Sequence, residues 1–326
     1  MGKYIFRRIV MAAATLLLII FVLFLLLEFM PGTPFNDERL TAEQKAHMQM
    51  LYGLDRPLPV RFLTYIKNML SGDFGISYSI AQNAQISDLL KTRLPVSLQI
   101  GGQAVVLGAV LGLILGISAA LLKNTPVEWL STLLSVVGVS LPSYVFALIL
   151  SYYFGYKLGW FPVLYQAEQG PASTVLPSIS LCMMTMATIT RFTKTELLSV
   201  LSSEYMLFVQ TKGLSGFSVI FRHALRNTLT PIITALAPLI VGLMTGSLMV
   251  EQIFSVPGLG GLLVAAIQAN DYNVVITIMF IYSVMYIGIM LVVDILYCII
   301  SRFLTILSIS LINLNLGWFM YCFFVF

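Results

Sequence analysis

Apolar residues in this chain come in long, nearly uncharged blocks rather than at the spacing of a soluble core. The first runs from Ile9 to Leu27, and others cover Val96 to Leu122, Val127 to about Tyr156, Ser173 to Thr190, Pro231 to Val250 and Val274 to Ile300. A helix needs about 20 residues to cross a hydrocarbon core of roughly 30 Å, so the blocks predict six membrane-spanning helices. Ser140-Leu141-Pro142-Ser143 interrupts the third block and predicts a kink there, because a proline leaves one helical carbonyl unpaired. Gly108, Gly112 and Gly116 recur every four residues in the second block, and Gly242 and Gly246, flanked by Thr245 and Ser247, do so in the fifth. Such stripes let helices approach closely, and the small residues of the fifth block would equally suit a helix lining a polar passage.

The blocks are separated by two long polar stretches. Residues 31–95 carry charges of both signs and hold no spanning segment. Thr41 to Leu51 reads there as a short amphipathic helix, Asp55-Arg56-Pro57-Leu58-Pro59 as a turn, and Val60 to Leu70 as a second helix with Phe62, Tyr65, Ile66 and Met69 on one side. Residues 191–230 are basic. The tail from Phe303 to Phe326 is again apolar but is broken by Asn313 and Asn315, and is expected to be an interfacial or altered end, with a seventh apolar segment as the alternative.

Composition agrees with a polytopic membrane protein. The 326 residues are 59% hydrophobic and 10% charged, with mean hydropathy +0.93, whereas soluble domains are about a quarter charged. Ten basic residues (Lys3, Arg7, Arg8, Lys123, Arg191, Lys194, Lys212, Arg222, Arg226, Arg302) fall on one side of the six-block arrangement against Glu128, Glu196 and Glu204. The positive-inside rule places that side, and both ends of the bundle, in the cytoplasm. The basic start and long first block predict a retained helix rather than a cleaved signal peptide. The net charge of +4 thus speaks to topology, and no nucleic-acid partner is implied.

Little in the chain carries bond-making chemistry. Cys182, Cys298 and Cys322 lie in apolar segments without metal or redox spacing, and the two histidines, His47 and His223, form no pair. No phosphate-binding Gly-x-x-x-x-Gly-Lys, zinc or nucleophile motif occurs, so the chain is expected to be no enzyme, to bind no metal and to hold no cofactor itself. Glu28 is expected at the outer interface and Asp294 at the inner one.

The most informative stretch is Glu204 to Pro231. Ser202 or Ser203 suits a helix N-cap, Glu204 suits the positive end of its dipole, and Gly213 after Lys212 suits a C-terminal stop. A second short helix is expected from Ser215 to Thr230-Pro231, its 222/226 spacing placing Arg222 and Arg226 on one face.

This order of residues resembles the cytoplasmic coupling loop of ABC importer permeases, in which an acidic residue, a run ending in Lys-Gly and a basic helix precede a proline. Pro31-Gly32-Thr33-Pro34, Tyr52-Gly53-Leu54-Asp55-Arg56-Pro57, Gly72-Asp73-Phe74-Gly75-Ile76-Ser77, the turn Leu158-Gly159-Trp160-Phe161-Pro162 and Ile253-Phe254-Ser255-Val256-Pro257-Gly258-Leu259-Gly260 look like the dipeptide/oligopeptide branch, nearest its oligopeptide B-type subunits. The resemblance implies an all-α, six-span bundle of the type I importer permease kind. Its parts would be residues 1–30 (N-terminus and first helix), 31–95 (extracytoplasmic segment), 96–300 (core, with the loop at 191–230) and 301–326 (tail). It implies half of a peptide pore in a bacterial inner membrane, partnered by a homologous second permease, two ABC ATPase subunits that hold ATP and Mg, an extracytoplasmic substrate-binding protein and membrane lipid. The residues expected to couple to the ATPases are Glu204, Tyr205, Thr211, Lys212, Gly213, Leu214, Arg222, His223, Arg226 and Asn227. Permeases for dipeptides and for nickel or metallophore chelates remain alternatives. An ion-coupled secondary transporter is the rival class, which would need the paired intramembrane acids this chain lacks.

Overall fold

The computed structural model describes residues 2–29, 56–81, 83–244 and 248–300, and among them the chain is helical apart from turns and one antiparallel bridge between Ile76 and Gln85. In order come α1 (Gly2–Phe29), α2 (Leu58–Leu70), α3 (Ile86–Leu121), α4 (Pro126–Ser140), and α5 (Ser143–Leu150), which continues as a π-helical stretch, Ser151–Lys157. Next are α6 (Ala172–Leu201), α7 (Glu204–Thr211), and a turn at Gly216–Ser218 that passes through a second π-helical stretch, Val219–Ala224, into α8 (Leu225–Met244). The chain then forms α9 (Leu248–Ile253), α10 (Leu259–Gln268) and α11 (Tyr272–Ile300).

Among the described residues, five helical stretches are long and apolar enough to cross a membrane: Phe6–Leu25, Ile86–Leu121, Ala172–Leu201, Pro231–Ile253 and Tyr272–Val293. The expected third span is a broken one, in which the helices on either side of Leu141-Pro142 are bent by 106°. Pro142 is the cause: the residue before a proline avoids the helical region, and Leu141 is extended at φ −88°, ψ 123°. The expected kink is therefore a sharp turn between α4 and α5.

Helices α3 and α6 form the central pair. A Cβ added at Gly108 would lie 2.7 Å from Thr185 Cβ, at Gly112 2.8 Å from Ile189 Cβ, and at Gly116 2.5 Å from Thr193 Cβ. The glycine stripe thus seats a ridge of β-branched residues with no room for any other side chain. Two hydroxyls buried along α6 return to their own helix, Ser180 Oγ donating to Leu176 O at 2.7 Å and Thr190 Oγ1 to Met186 O at 2.7 Å, while Ser178 Oγ reaches across to Gln103 Oε1 of α3 at 2.8 Å.

Three boundaries differ from the sequence expectation. Helix α3 starts at Ile86 and contains Pro95, so the second span extends ten residues outward past Val96. Helix α6 does not end near Arg191 but reaches Leu201. The second helix of the loop is not a separate piece, since the helical path from Gly216 to Met244 runs through Pro231. The helix expected over Thr41 to Leu51, His47, the motifs at residues 31–34 and 52–55, and the tail with Cys322 lie outside the described residues. Thr245, Gly246 and Ser247 lie outside them too.

The outer segment is tied to the last span. Ser77 Oγ donates to Asp271 Oδ2 at 2.5 Å, and the backbone N–H groups of Ser79 and Ile80 donate to the same oxygen at 2.9 and 3.2 Å. Tyr65 approaches Thr277 Oγ1 at 3.4 Å, and Thr277 donates to Asn273 O, which leaves its oxygen to accept the phenol proton. Burial pushes the Tyr65 phenol above its ordinary range, so it stays a neutral donor. Phe62, Tyr65 and Met69 all face inward from α2, as their spacing predicts.

Removing the Asp271 knot should loosen this layer. An Asp271→Ala variant removes the shared acceptor of one buried and two half-buried donors, and losing hydrogen bonds to a charged group costs about 1.5–3 kcal/mol. The expected outcome is a thermal midpoint in detergent well below that of the parent chain. An unchanged midpoint would mean the outer segment is held by its apolar contacts alone.

Candidate functional site

The cytoplasmic loop between α6 and α8 is built by local chemistry. Ser203 Oγ accepts from Met206 N and Ser215 Oγ from Ser218 N, each at 3.4 Å, so both helical pieces start on a serine cap. Glu204 stands in the first turn of α7. Gly213 has φ +67° and a Cβ there would meet nothing within 4 Å. Its requirement is therefore conformational, since the left-handed region costs other residues roughly 1–2 kcal/mol.

The loop has a buried base and an exposed crown. Met206, Val209, Val219 and Ala224 pack with Leu197 of α6 and Ala120 of α3, which seats the loop on the central helix pair. Tyr205 Oη lies 3.0 Å from His223 Nδ1, a polar bridge between the two arms. Of the ten residues expected to couple, Glu204, Tyr205, Thr211, Lys212, Gly213, Leu214, Arg222, Arg226 and Asn227 are exposed, while His223 is half-buried. Arg222 falls in the π-helical stretch and Arg226 in the α-helix that follows. The wider turn offsets the simple four-residue spacing, yet both guanidinium side chains reach solvent.

The residues missed by charge-based reading are aromatic. Phe217 and Phe221 stack with ring centroids 4.3 Å apart while remaining 71% and 49% exposed. Phe208, also exposed, lies under Lys212 Nζ, 4.7 Å from its ring centroid. An exposed cluster of large aromatics beside basic residues has the composition of an interface core. Its signal was present in the Phe217-x-x-x-Phe221 spacing, one helical turn apart.

The loop is also braced from the side. Lys194 Nζ on α6 pairs with Glu128 Oε1 on α4 at 2.8 Å and bonds Thr132 Oγ1 at 3.1 Å. Glu128 Oε2 accepts the N–H of Asn124 at 2.5 Å in the tight turn that joins α3 to α4. The cytoplasmic ends of α3, α4 and α6 are thereby joined next to the loop.

The remaining expected residues divide. Gly108, Gly112 and Gly116 form the seam between α3 and α6, whereas a Cβ on Gly242 would meet no atom within 4 Å.

Comparison with known proteins agrees with this arrangement. The family described as "Binding-protein-dependent transport system inner membrane component" matches residues 112–306, and its N-terminal counterpart, "Binding-prot-dependent transport system membrane comp, N-term", matches residues 1–101. The dipeptide transport system permease protein DppB of Lactococcus lactis subsp. cremoris is 40% identical over 302 residues, 92% of this chain and 98% of that protein. The oligopeptide transport system permease protein OppB of Escherichia coli K12 is 33% identical over 302 residues, with the same shares. Among solved structures, the inward-facing MetNI methionine ABC transporter aligns with a TM-score of 0.56 at 15% identity, over 66% of this chain and 97% of that one, which speaks to the fold alone. The chain belongs to the family of binding-protein-dependent transport system inner membrane components, and is a multi-pass permease subunit of an ABC importer.

Proposed function

We propose that this permease forms half of the translocation path for short peptides and is driven by separate ATPase subunits docked on the loop from Glu204 to Asn227. The observation that carries the reading is mechanical. The exposed crown of the loop is continuous in backbone with α6 on one side and with α8 on the other, and its base is packed against α3 and α6. A push on Phe217, Phe221, Lys212, Arg222 and Arg226 therefore reaches the membrane helices without passing through a loose linker.

The chain carries no phosphate-binding motif of its own, so ATP and Mg belong to the partner subunits. A second, homologous permease completes the path, and an extracytoplasmic binding protein delivers peptide. Peptide is the substrate class because the dipeptide and oligopeptide permeases named above match across 92% of the chain. Peptide length would be decided by competition between di-, tri- and pentapeptides for uptake.

The test is purification of this chain from its native membrane, with identification of bound subunits and assay of ATP hydrolysis, for the parent and for Gly213→Trp combined with Arg222→Glu. Recovery of a second permease and ATPase subunits with the parent, and loss of the ATPases from the variant, is the expected result. A solitary parent chain that still transports would overturn the reading.

A further inference from the structure

Glu251 lies at the outer end of the bundle and is 4% exposed. Its carboxylate faces the start of α10, a helix whose N-cap, Gly258, offers no side chain. The first N–H groups of a helix have no partner within it, and in α10 each is met from outside. Gly261 N donates to Glu251 Oε2 at 2.9 Å, Gly260 N also bonds that carboxylate, and Leu259 N donates to Ser97 Oγ at 2.8 Å. Ser97, on α3, in turn donates to Glu251 Oε1 at 2.9 Å. One carboxylate thus joins α9, α10 and α3.

The glycines of the turn are there for this carboxylate. A Cβ on Gly258 would stand 2.3 Å from Glu251 Cδ, and one on Gly260 2.9 Å from Oε2. Around the polar junction the contacts are apolar: Phe254 and Val256 pack with Ile100, Leu150 and Leu176, and Tyr165 N donates to Phe254 O at 2.7 Å. A small void bordered by Ser97, Gly101, Pro177, Leu243 and Glu251 lies beneath it.

We infer that the Glu251–Ser97 junction is the latch that holds the outer end of the path closed, with Glu251 acting as a positioning residue for α10. The inference rests on the importer reading above. It follows from what the junction is made of. Besides the apolar contact of Phe254 and Val256 with Ile100, the α9–α10 turn meets the outer end of α3 through hydrogen bonds that water can replace on opening. A carboxylate and three N–H groups rehydrate on opening, so the contact can break and re-form in each cycle. Glycine at 258 and 260 keeps any side chain out of the way.

The test uses the assembled importer with the native cysteines Cys182, Cys298 and Cys322 replaced by alanine and a reporter, Leu181→Cys, which also borders the void. A membrane-impermeant maleimide is applied from outside in the resting state, and ATP hydrolysis is measured with and without peptide-loaded binding protein. Glu251→Ala should raise the resting labelling rate by roughly tenfold or more, the change expected for losing hydrogen bonds to a charged group. It should also raise basal ATP hydrolysis and reduce the stimulation by peptide. A merely weakened fold would lower both ATPase rates together. If Glu251→Ala fails to assemble, Ser97→Ala, which keeps the carboxylate, should shift labelling in the same direction by a smaller factor. Unchanged labelling and an unchanged stimulation ratio in whichever variant assembles would overturn the latch. A parent complex that shows no ATP-driven transport would instead overturn the importer reading on which it rests.

Discussion

A Gly116→Leu variant should fail to accumulate as a folded chain. The Cβ alone would sit 2.5 Å from Thr193 Cβ and 2.8 Å from the carbonyl oxygen of Thr190, and the second of these is backbone that no rotamer change can move. Leucine adds three further carbons at the same place, so α3 and α6 must separate. Overpacking a well-filled site costs about 1–3 kcal/mol, and with a backbone obstacle the cost lies at or beyond the top of that range, a large part of a typical protein's net stability. Gly102→Leu is the control, because a Cβ there meets nothing within 4 Å. Size-exclusion profiles and thermal midpoints in detergent should be near-parental for Gly102→Leu and grossly altered for Gly116→Leu. Equal behaviour of the two would show that the seam tolerates separation.

Replacing Phe217 and Phe221 together by alanine should have the opposite character, leaving the chain intact and the complex broken. Both rings are exposed, and the loop's packing rests on Met206, Val209, Val219 and Ala224 below them, so insertion and thermal stability should barely change. Aromatic anchors at the centre of an interface commonly contribute about 2 kcal/mol or more each when truncated, though not additively, and 1.4 kcal/mol is about tenfold in affinity. Loss of roughly a hundredfold in ATPase-subunit affinity is therefore expected, read as disappearance of those subunits from the purified complex. Retention of ATPase subunits and coupled transport in the double variant would assign docking to the basic residues alone.

Features that depend on near neighbours were legible before any coordinates. The caps at Ser203 and Ser215, the stop at Gly213 and the inward face of α2 each follow from residue types within a turn or two. The glycine stripe announced close packing because its four-residue period is itself a helical face, but nothing in it named Thr185, Ile189 and Thr193 as the opposing ridge. The start of α3 was hidden by Asp88, Lys91, Arg93 and Pro95, which read as a polar boundary although the helix passes through them. The helix continues through Pro95, whose φ suits it although the ring removes one backbone hydrogen bond. Nothing near Glu251 in the chain signalled its burial. Its partner Ser97 is 154 residues away, and burial of that kind is decided by tertiary packing. Asp271 was concealed for the same reason, with Ser77 194 residues distant.

The seam between α3 and α6 also decides which part of the bundle can bend. With glycine on one helix and β-branched side chains on the other, the two cannot roll or slide without collision, and the Glu128–Lys194 pair fastens α4 to the same stator. Helix α8 is built differently. Pro231 and Pro238 each remove one backbone hydrogen bond from it, and Gly242 has open space where a side chain would be. If the proposed function holds, a push at Phe217 should bend α8 while the α3–α6 pair keeps its packing.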